Sequence, residues 1–122
     1  MNISEAEAQV MEVLWRSSPL ATEEIAQTLR DSQDWQLATI KTLLNRLLNK
    51  GAISAEKEGR RYLYSPVLQR DAWLNRQSLG LLDRLFEGRL APLVAQFSSE
   101  RRLSTADLEA LKKLIAEHER ND

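Results

Sequence analysis

The chain contains no cysteine among its 122 residues. This absence excludes disulfide bonds, thiolate metal ligands and a cysteine nucleophile, and it is typical of proteins in a reducing compartment such as the cytoplasm. Glycine (four residues) and histidine (one residue) are also scarce, and the sequence has neither a glycine-rich phosphate loop nor a histidine cluster with metal-ligand spacing. The sequence therefore predicts no metal site and no cofactor.

Long apolar runs are absent as well. No run approaches the roughly 20 residues that span a membrane. The first ten residues, MNISEAEAQV, are acidic and lack the basic and apolar regions of a signal peptide. We therefore expect a cytoplasmic protein with no membrane partner. With 43% hydrophobic residues, the chain is expected to form one domain, or one domain with an appendage.

The formal net charge of −1 is unevenly distributed along the chain. Residues 1–38 carry two arginines against seven acidic residues, a net charge of −5. Residues 39–64 carry six lysines and arginines against two glutamates, a net charge of +4, and the remainder is balanced. Because a local field attracts a charged partner more than the overall charge does, a nucleic-acid partner stays compatible with this composition.

Two capping patterns open the chain. Ser4 and Glu7 form a Ser-x-x-Glu capping box ahead of periodic apolar residues, which predicts a first helix over Glu5–Arg16. Thr22 is predicted to be the N-cap of a second helix that ends near Arg30, with two glutamates favourably placed at its positive end.

Residues 38–51, ATIKTLLNRLLNKG, are predicted to form a third helix with two different faces. At about 100° per residue, the isoleucine and the four leucines fall within roughly 140° of one another and form a face for burial. The opposite face carries hydroxyl, amide and cationic side chains, the types that contact base edges and phosphates. This stretch alone is equally compatible with an ordinary amphipathic core helix. Together with the second helix, however, it matches a helix-turn-helix.

After the third helix the apolar period becomes alternating, which predicts a β-hairpin. We place its two-residue turn at Glu58-Gly59, which would pair Ala55 with Tyr62 and Ile53 with Tyr64. A helix-turn-helix followed by a hairpin with basic residues at its tip is a winged helix. The predicted DNA-binding residues lie on the third helix and the hairpin: Thr39, Lys41, Thr42, Asn45, Arg46, Gly59, Arg60 and Arg61.

From residue 67 the pattern is helical again, with a long helix ending near Gly88, a shorter helix and a last helix capped by Ser104. These helices carry more apolar surface than they can bury by themselves. We therefore predict a winged-helix domain at 1–66 and a helical dimerisation region at 67–122; the alternative is a monomer whose helices fold back on the head. The predicted dimerisation residues are Trp73, Leu74, Leu81, Leu82, Leu85, Phe86, Leu90, Leu93, Val94, Phe97, Leu108, Leu111 and Ile115. The predicted fold class is mostly α with a small β-hairpin.

Three phrases, SEAEAQVMEVLWRSSPLATEEIA, TIKTLLNRLLNKG and EGRRYLYSP, resemble the penicillinase repressor family (BlaI, MecI and CopY). The similarity covers essentially the whole chain. It implies a winged-helix homodimer that represses transcription by occupying an inverted-repeat operator, often with TACA/TGTA half-sites. It would place the third helix in the major groove, the wing at residues 59–61 on the neighbouring backbone or minor groove, and the C-terminal helices in the dimer interface.

Two regulatory features of that family differ in this chain. The resemblance implies a sensor protease as a candidate partner, because antibiotic-resistance members are cut at an Asn-Phe bond in the fifth helix. The matching position here is Gln96-Phe97, a candidate cleavage site whose peptide-bond specificity is not preserved. The copper-responsive members bind metal through C-terminal cysteines, which this chain lacks.

Other functions find less support in the sequence. Ser104, Asp107 and His118 resemble a catalytic triad only if the better explanation of the first two as a helix cap is ignored, so we predict that the protein is not an enzyme. His118 either complements a helix C-terminus or lies on the dimer face. Trp35 is predicted to close the core, with base stacking as the alternative. The alternative function is a winged-helix module that binds another protein and not DNA.

Overall fold

The computed structural model describes residues 1–100 and 102–121. Over these ranges the fold is mostly helical with one antiparallel β-hairpin, which confirms the predicted fold class. The elements in chain order are α1 (Glu5–Arg16), α2 (Thr22–Leu29), α3 (Leu37–Lys50), β1 (Ile53–Glu58), β2 (Arg61–Pro66), α4 (Arg70–Phe86), α5 (Leu90–Glu100) and α6 (Thr105–Asn121). In the described ranges, no helix combines the length and the apolar character that a membrane span requires.

The chain divides into two compact units, Met1–Asn75 and Arg76–Asp122. The first unit extends beyond residue 66 because the chain that follows β2 contacts α1. The Trp15 indole N–H donates to the Leu68 carbonyl at 2.8 Å, and the rings of Trp15 and Trp73 lie 5.4 Å apart. The functional division at residue 66 stays a prediction.

The predicted capping box of α1 is confirmed, whereas the predicted cap of α2 is wrong. The N–H of Glu7 donates to Ser4 Oγ at 3.1 Å, and the N–H of Ser4 donates to Glu7 Oε1 at 2.8 Å. In α2 the N-cap is Ala21 and Thr22 is the first helical residue. The Ala21 carbonyl accepts the N–H groups of Glu24 and Ile25, each at 3.1 Å, so the first turn closes on Ala21 and Thr22 lies inside the helix. Glu24 Oε1 accepts the Ala21 N–H at 2.9 Å, which is the half of a capping box that needs no side chain at the N-cap.

The α3 helix begins one residue earlier than predicted and ends as predicted, because Gly51 adopts a left-handed conformation with φ of +78°. Its apolar side is buried: Ile40, Leu43, Leu44 and Leu47 are each at most 4% exposed. These side chains form one core with buried residues of α1 and α2, and Trp35 packs partly buried against it as predicted. This core fixes which side of α3 faces outward.

The hairpin forms, but its turn lies one residue later than predicted. Glu58 pairs with Arg61, Lys57 with Tyr62 and Ala55 with Tyr64, so the two turn residues are 59 and 60. Gly59 has a φ of +64°, and a glycine with positive φ at the first turn position is typical of the hairpin turn called type II′. The register moves by two residues, so each side chain stays on the face predicted for it.

The second unit differs from the first because none of the described residues of α4, α5 and α6 is buried. The predicted cap of α6 is confirmed, since Ser104 Oγ accepts the Asp107 N–H at 3.0 Å. The α4 helix ends at Phe86, two residues before the predicted Gly88, which follows it with a φ of +75°. Several large apolar side chains of these helices, Leu85 and Leu114 among them, are exposed.

Candidate nucleic-acid interface

The outward side of α3 carries its polar side chains in two rows. At about 100° per residue, Thr39, Thr42 and Arg46 fall within about 60° of one another and form the first row. Lys41 and Asn45 form a second row whose centre lies about 110° away around the helix. All five side chains are exposed. In the structure only the second row, Lys41 and Asn45, lines a cleft against the neighbouring elements.

The first row contains side chains that suit base recognition. The Thr42 hydroxyl donates to the Ala38 carbonyl at 3.0 Å within the helix, so its oxygen stays available as an acceptor and its methyl group for thymine. Arg46 lies one turn further along the same row and makes no ion pair with the described residues. A guanidinium group in this setting can donate two hydrogen bonds to guanine.

The second row faces a cleft between three elements. Its lining comes from α2, from α3 and from the wing, which we define as β1, β2 and their turn, and the cleft volume is about 300 Å³. The lining residues are Thr22, Glu23, Lys41, Asn45, Arg60, Arg61, Tyr62 and Tyr64. Thr22, Glu23 and the two tyrosines were missed from the sequence. Alternation placed Tyr62 and Tyr64 on one face of the hairpin, but no pattern in the sequence brings that face to the start of α2.

The two wing arginines have different surroundings. Arg61 Nη1 lies 3.8 Å from Glu24 Oε1, and both side chains are about half exposed. Arg60, at the turn, makes no ion pair with the described residues. Because an exposed pair at this distance is weak, Arg61 stays able to reach another anion, but part of its charge is already compensated.

One cation of the positive segment lies away from this surface. The Lys50 ammonium donates to Glu7 Oε1 at 2.5 Å and to the Asn2 carbonyl at 2.8 Å. Burial is the largest influence on the Glu7 carboxyl and would raise its pKa. The hydrogen bonds from Lys50 and Ser4 outweigh burial, so the pKa of Glu7 lies below its ordinary value. Lys50 thus holds a structural ion pair.

The second unit presents an apolar groove between α5 and α6. The groove has a volume of about 830 Å³ and includes Leu90, Val94, Leu111 and Ile115, four of the residues predicted to mediate dimerisation. Leu85, in α4, is also predicted to mediate dimerisation and is 66% exposed.

The other predicted dimerisation residues lie in different settings. Trp73 and Leu74 belong to the first unit, and Trp73 contacts Trp15. Phe97 and Leu108 are exposed, while Leu81, Leu82, Phe86 and Leu93 are half-buried. The remaining prediction, Gln96-Phe97, lies within α5. Among the described residues, no group of acidic or histidine side chains is placed to hold a metal.

The first unit, with three helices followed by a hairpin, defines a winged-helix protein. The family model described as penicillinase repressor matches residues 3–117, and the chain belongs to this family of DNA-binding transcriptional repressors. The penicillinase repressor of Bacillus licheniformis is 34% identical over 116 residues, which cover 95% of this chain and 91% of that relative. The methicillin resistance regulatory protein MecI of Staphylococcus aureus is 26% identical, with 93% and 92% covered. The first relative is named as a repressor and the second as a regulatory protein.

Solved structures agree with this assignment. The solution structure of the DNA-binding domain of BlaI matches with a TM-score of 0.53 and 40% identity, covering 57% of this chain and 84% of that domain. The monomeric form of Bacillus licheniformis BlaI in complex with the blaP half-operator matches with a TM-score of 0.52 and 39% identity, covering 58% and 87%. The transcription regulator MepR, at 19% identity and a TM-score of 0.53, covers 98% of this chain and 80% of its own and shares the fold.

Proposed function

We propose that this repressor binds an inverted-repeat operator as a homodimer, with α3 in the major groove and the wing on the neighbouring backbone. The observation that carries the proposal is the exposed row of Thr39, Thr42 and Arg46 on a helix whose other polar row faces a basic wing. BlaI solved in complex with a half-operator matches 58% of this chain at 39% identity, which supports DNA as the partner. In this arrangement the row on α3 reads base edges, and Arg60 contacts phosphate.

The dimer is supported by the uncovered apolar surface of the second unit. Leu85, Leu90, Leu114 and Ile115 are each between 57% and 66% exposed, a degree of exposure that a monomer in water does not favour for four large apolar side chains. A second copy of the same helices would cover this surface. It would also supply the two-fold symmetry that an inverted repeat requires.

The DNA-binding part of the proposal is tested by selecting bound sequences from a random duplex library with the full-length protein. We expect enrichment of an inverted repeat whose half-sites lie about one helical turn, or a multiple of one, apart. Binding of the selected duplex no tighter than binding of a shuffled duplex would contradict DNA recognition. That result would favour the alternative of a module that binds another protein.

The dimer is tested by sedimentation of Leu114→Glu beside Lys113→Glu. Both variants add one carboxylate to neighbouring positions of α6, but only the first places it on the apolar side chain that lines the groove. We expect Leu114→Glu to be monomeric and to bind the selected operator weakly, while Lys113→Glu stays dimeric. A monomeric unmodified protein at micromolar concentration would contradict the dimer.

We further infer that a sensor protease could cut at Gln96-Phe97 only after α5 unfolds locally. Both side chains are exposed, yet the Gln96 carbonyl accepts the Ser99 hydroxyl at 2.8 Å and the bond lies within the helix. Proteolytic nicking occurs preferentially in exposed, flexible segments. Rapid cleavage at this bond by a broad-specificity protease, without cuts elsewhere in α5, would contradict the inference.

A further inference from the structure

The cleft between α2, α3 and the wing contains polar groups that base reading does not use. Lys41 and Asn45 face it from α3, Thr22 from the start of α2, and Arg60 and Tyr62 from the wing. Tyr62 is 51% exposed, so its ring and its hydroxyl are accessible to a partner.

The direction of the cleft separates it from the base-reading row. The row of Lys41 and Asn45 is turned by about 110° from the row that contains Thr42 and Arg46. When a helix lies in the major groove, the side chains that point down the groove reach base edges, while those turned to its side meet the sugar-phosphate backbone. The cleft row therefore faces the backbone when the first row faces the bases.

The walls of the cleft are fixed by bonds within the first unit. The Leu20 N–H donates to the Tyr64 carbonyl at 3.1 Å, and the Tyr64 N–H donates to the Leu20 carbonyl at 2.8 Å. These two bonds hold the wing strand beside the segment that leads into α2. The ion pair of Arg61 with Glu24 joins β2 to α2. A bound group is therefore positioned relative to α3 without prior ordering of the wing.

We propose that this cleft binds one phosphodiester group of the operator and so sets the position of α3 in the groove. Lys41 and Arg60 supply the positive charge, and the Tyr62 hydroxyl donates a hydrogen bond to a phosphate oxygen. The inference rests on the proposed function and deepens it, because it assigns a sequence-independent role to Lys41 and Asn45 and adds Tyr62 to the interface.

The cleft also contains one group that opposes an anion. Glu23 lines it, and its carboxylate lowers the positive potential that a phosphate would meet. Glu23→Gln is therefore expected to tighten binding to every duplex by about twofold to threefold at low salt, in line with the modest value of an exposed charge. Weaker binding by this variant would overturn the placement of a phosphate in the cleft.

The main experiment measures how tightly three full-length variants bind the selected operator and a shuffled duplex. The variants are Tyr62→Phe, Lys41→Gln and the control Lys113→Gln. Fluorescence anisotropy between 50 and 300 mM KCl gives affinity and salt dependence. Tyr62→Phe is expected to lose about fivefold in affinity on both duplexes, the worth of one hydrogen bond, with an unchanged salt slope. Lys41→Gln is expected to reduce the slope by about 0.9 on both. Lys113→Gln, which removes a cation from exposed α6, is expected to change neither quantity.

A second measurement locates the phosphate. Operator duplexes are prepared in which single phosphates are replaced by neutral methylphosphonates. One position is expected to weaken binding by the unmodified protein more than binding by Lys41→Gln, because one contact to that phosphate is already lost in the variant. Absence of such a position would overturn the inference, as would a change in the ratio of operator to shuffled binding in Tyr62→Phe or Lys41→Gln. If the unmodified protein itself fails to discriminate the operator, the proposed function fails and the inference with it.

Discussion

The ion pair between Glu7 and Lys50 allows a quantitative prediction, because its two partners differ in exposure. The Glu7 side chain is 1% exposed and that of Lys50 is 36% exposed. Glu7 Oε1 accepts both Lys50 Nζ and the Ser4 N–H, whereas Glu7 Oε2 has no hydrogen-bond partner among the described groups. Lys50→Met keeps the length of the apolar stem and removes only the charge, which leaves a buried carboxylate without its cation.

The expected loss of stability lies between the values for a fully buried and a fully exposed ion pair. Breaking a fully buried ion pair costs about 3–5 kcal/mol, whereas an exposed pair contributes about 0–1 kcal/mol. Since only one partner is buried, we expect Lys50→Met to lower the free energy of unfolding by about 2 kcal/mol at pH 7. With a urea dependence of about 1.5 kcal/mol per molar, the midpoint should fall by roughly 1.3 M.

The pH dependence has a definite sign. The pKa of Glu7 is lowered in the folded protein, so its stabilising contribution is present above the unfolded pKa and is lost as pH falls through the folded value. In Lys50→Met burial is no longer outweighed by the ammonium group, and the pKa of Glu7 should rise. The difference in stability between the two proteins should therefore be largest near pH 7 and smaller near pH 4.

The assay is urea unfolding followed by tryptophan fluorescence at one fixed protein concentration. Glu7→Gln and the double variant Glu7→Gln/Lys50→Met serve as controls, since a buried neutral amide does not need a cation. The double variant should be more stable than the sum of the single losses implies. A loss below about 0.5 kcal/mol in Lys50→Met, or one that is equal at pH 4 and pH 7, would refute the reasoning. Because Lys50 lies away from the DNA surface, Lys50→Met should bind the operator with the same salt slope as the unmodified protein.

Three further predictions concern the DNA surface. Arg46→Ala should cost about 1–3 kcal/mol on the selected operator and relax its sequence preference, as measured by competition with single-base variants; an unchanged preference would remove Arg46 from base reading. Arg60→Ala should reduce the salt slope of operator binding by about one unit. Arg61→Ala should reduce the slope by less, because Glu24 already compensates part of the Arg61 charge. Equal slopes for the two variants would contradict this distinction. Gly59→Ala should lower the free energy of unfolding in urea by about 1 kcal/mol, because the φ of +64° disfavours a side chain. Steric contact is not the cause, since the added methyl group would meet no atom within 4 Å. An equal loss in Glu58→Ala would show that the backbone conformation of Gly59 is not the cause.

Much of the first unit could be predicted because local and global preferences agree there. The capping box at Ser4 specifies the start of α1. The apolar period of α3 and the glycine that ends it, Gly51, specify the bounds of α3 within one residue. The predicted cap of α2 is wrong, because the Ala21 carbonyl closes the first turn and Glu24 accepts the Ala21 N–H, so the helix begins at Thr22 itself. The predicted turn of the hairpin is one residue too early. Both Glu58-Gly59 and Gly59-Arg60 contain the glycine that takes the positive φ, and they differ only in whether this glycine is the second or the first turn residue.

The sequence by itself determined the family, the order of the elements and the polar character of the α3 surface, since each depends on residue types at fixed spacing. Only the tertiary structure decided which neighbours each part of that surface meets. Packing of the core places Lys41 in a cleft against α2 and the wing, and the lining of this cleft does not include Arg46. The backbone bonds between Leu20 and Tyr64 bring Tyr62 beside the start of α2. The ion pair of Lys50 with Glu7 joins residues 43 positions apart, and no periodicity in the sequence specifies a contact of that range.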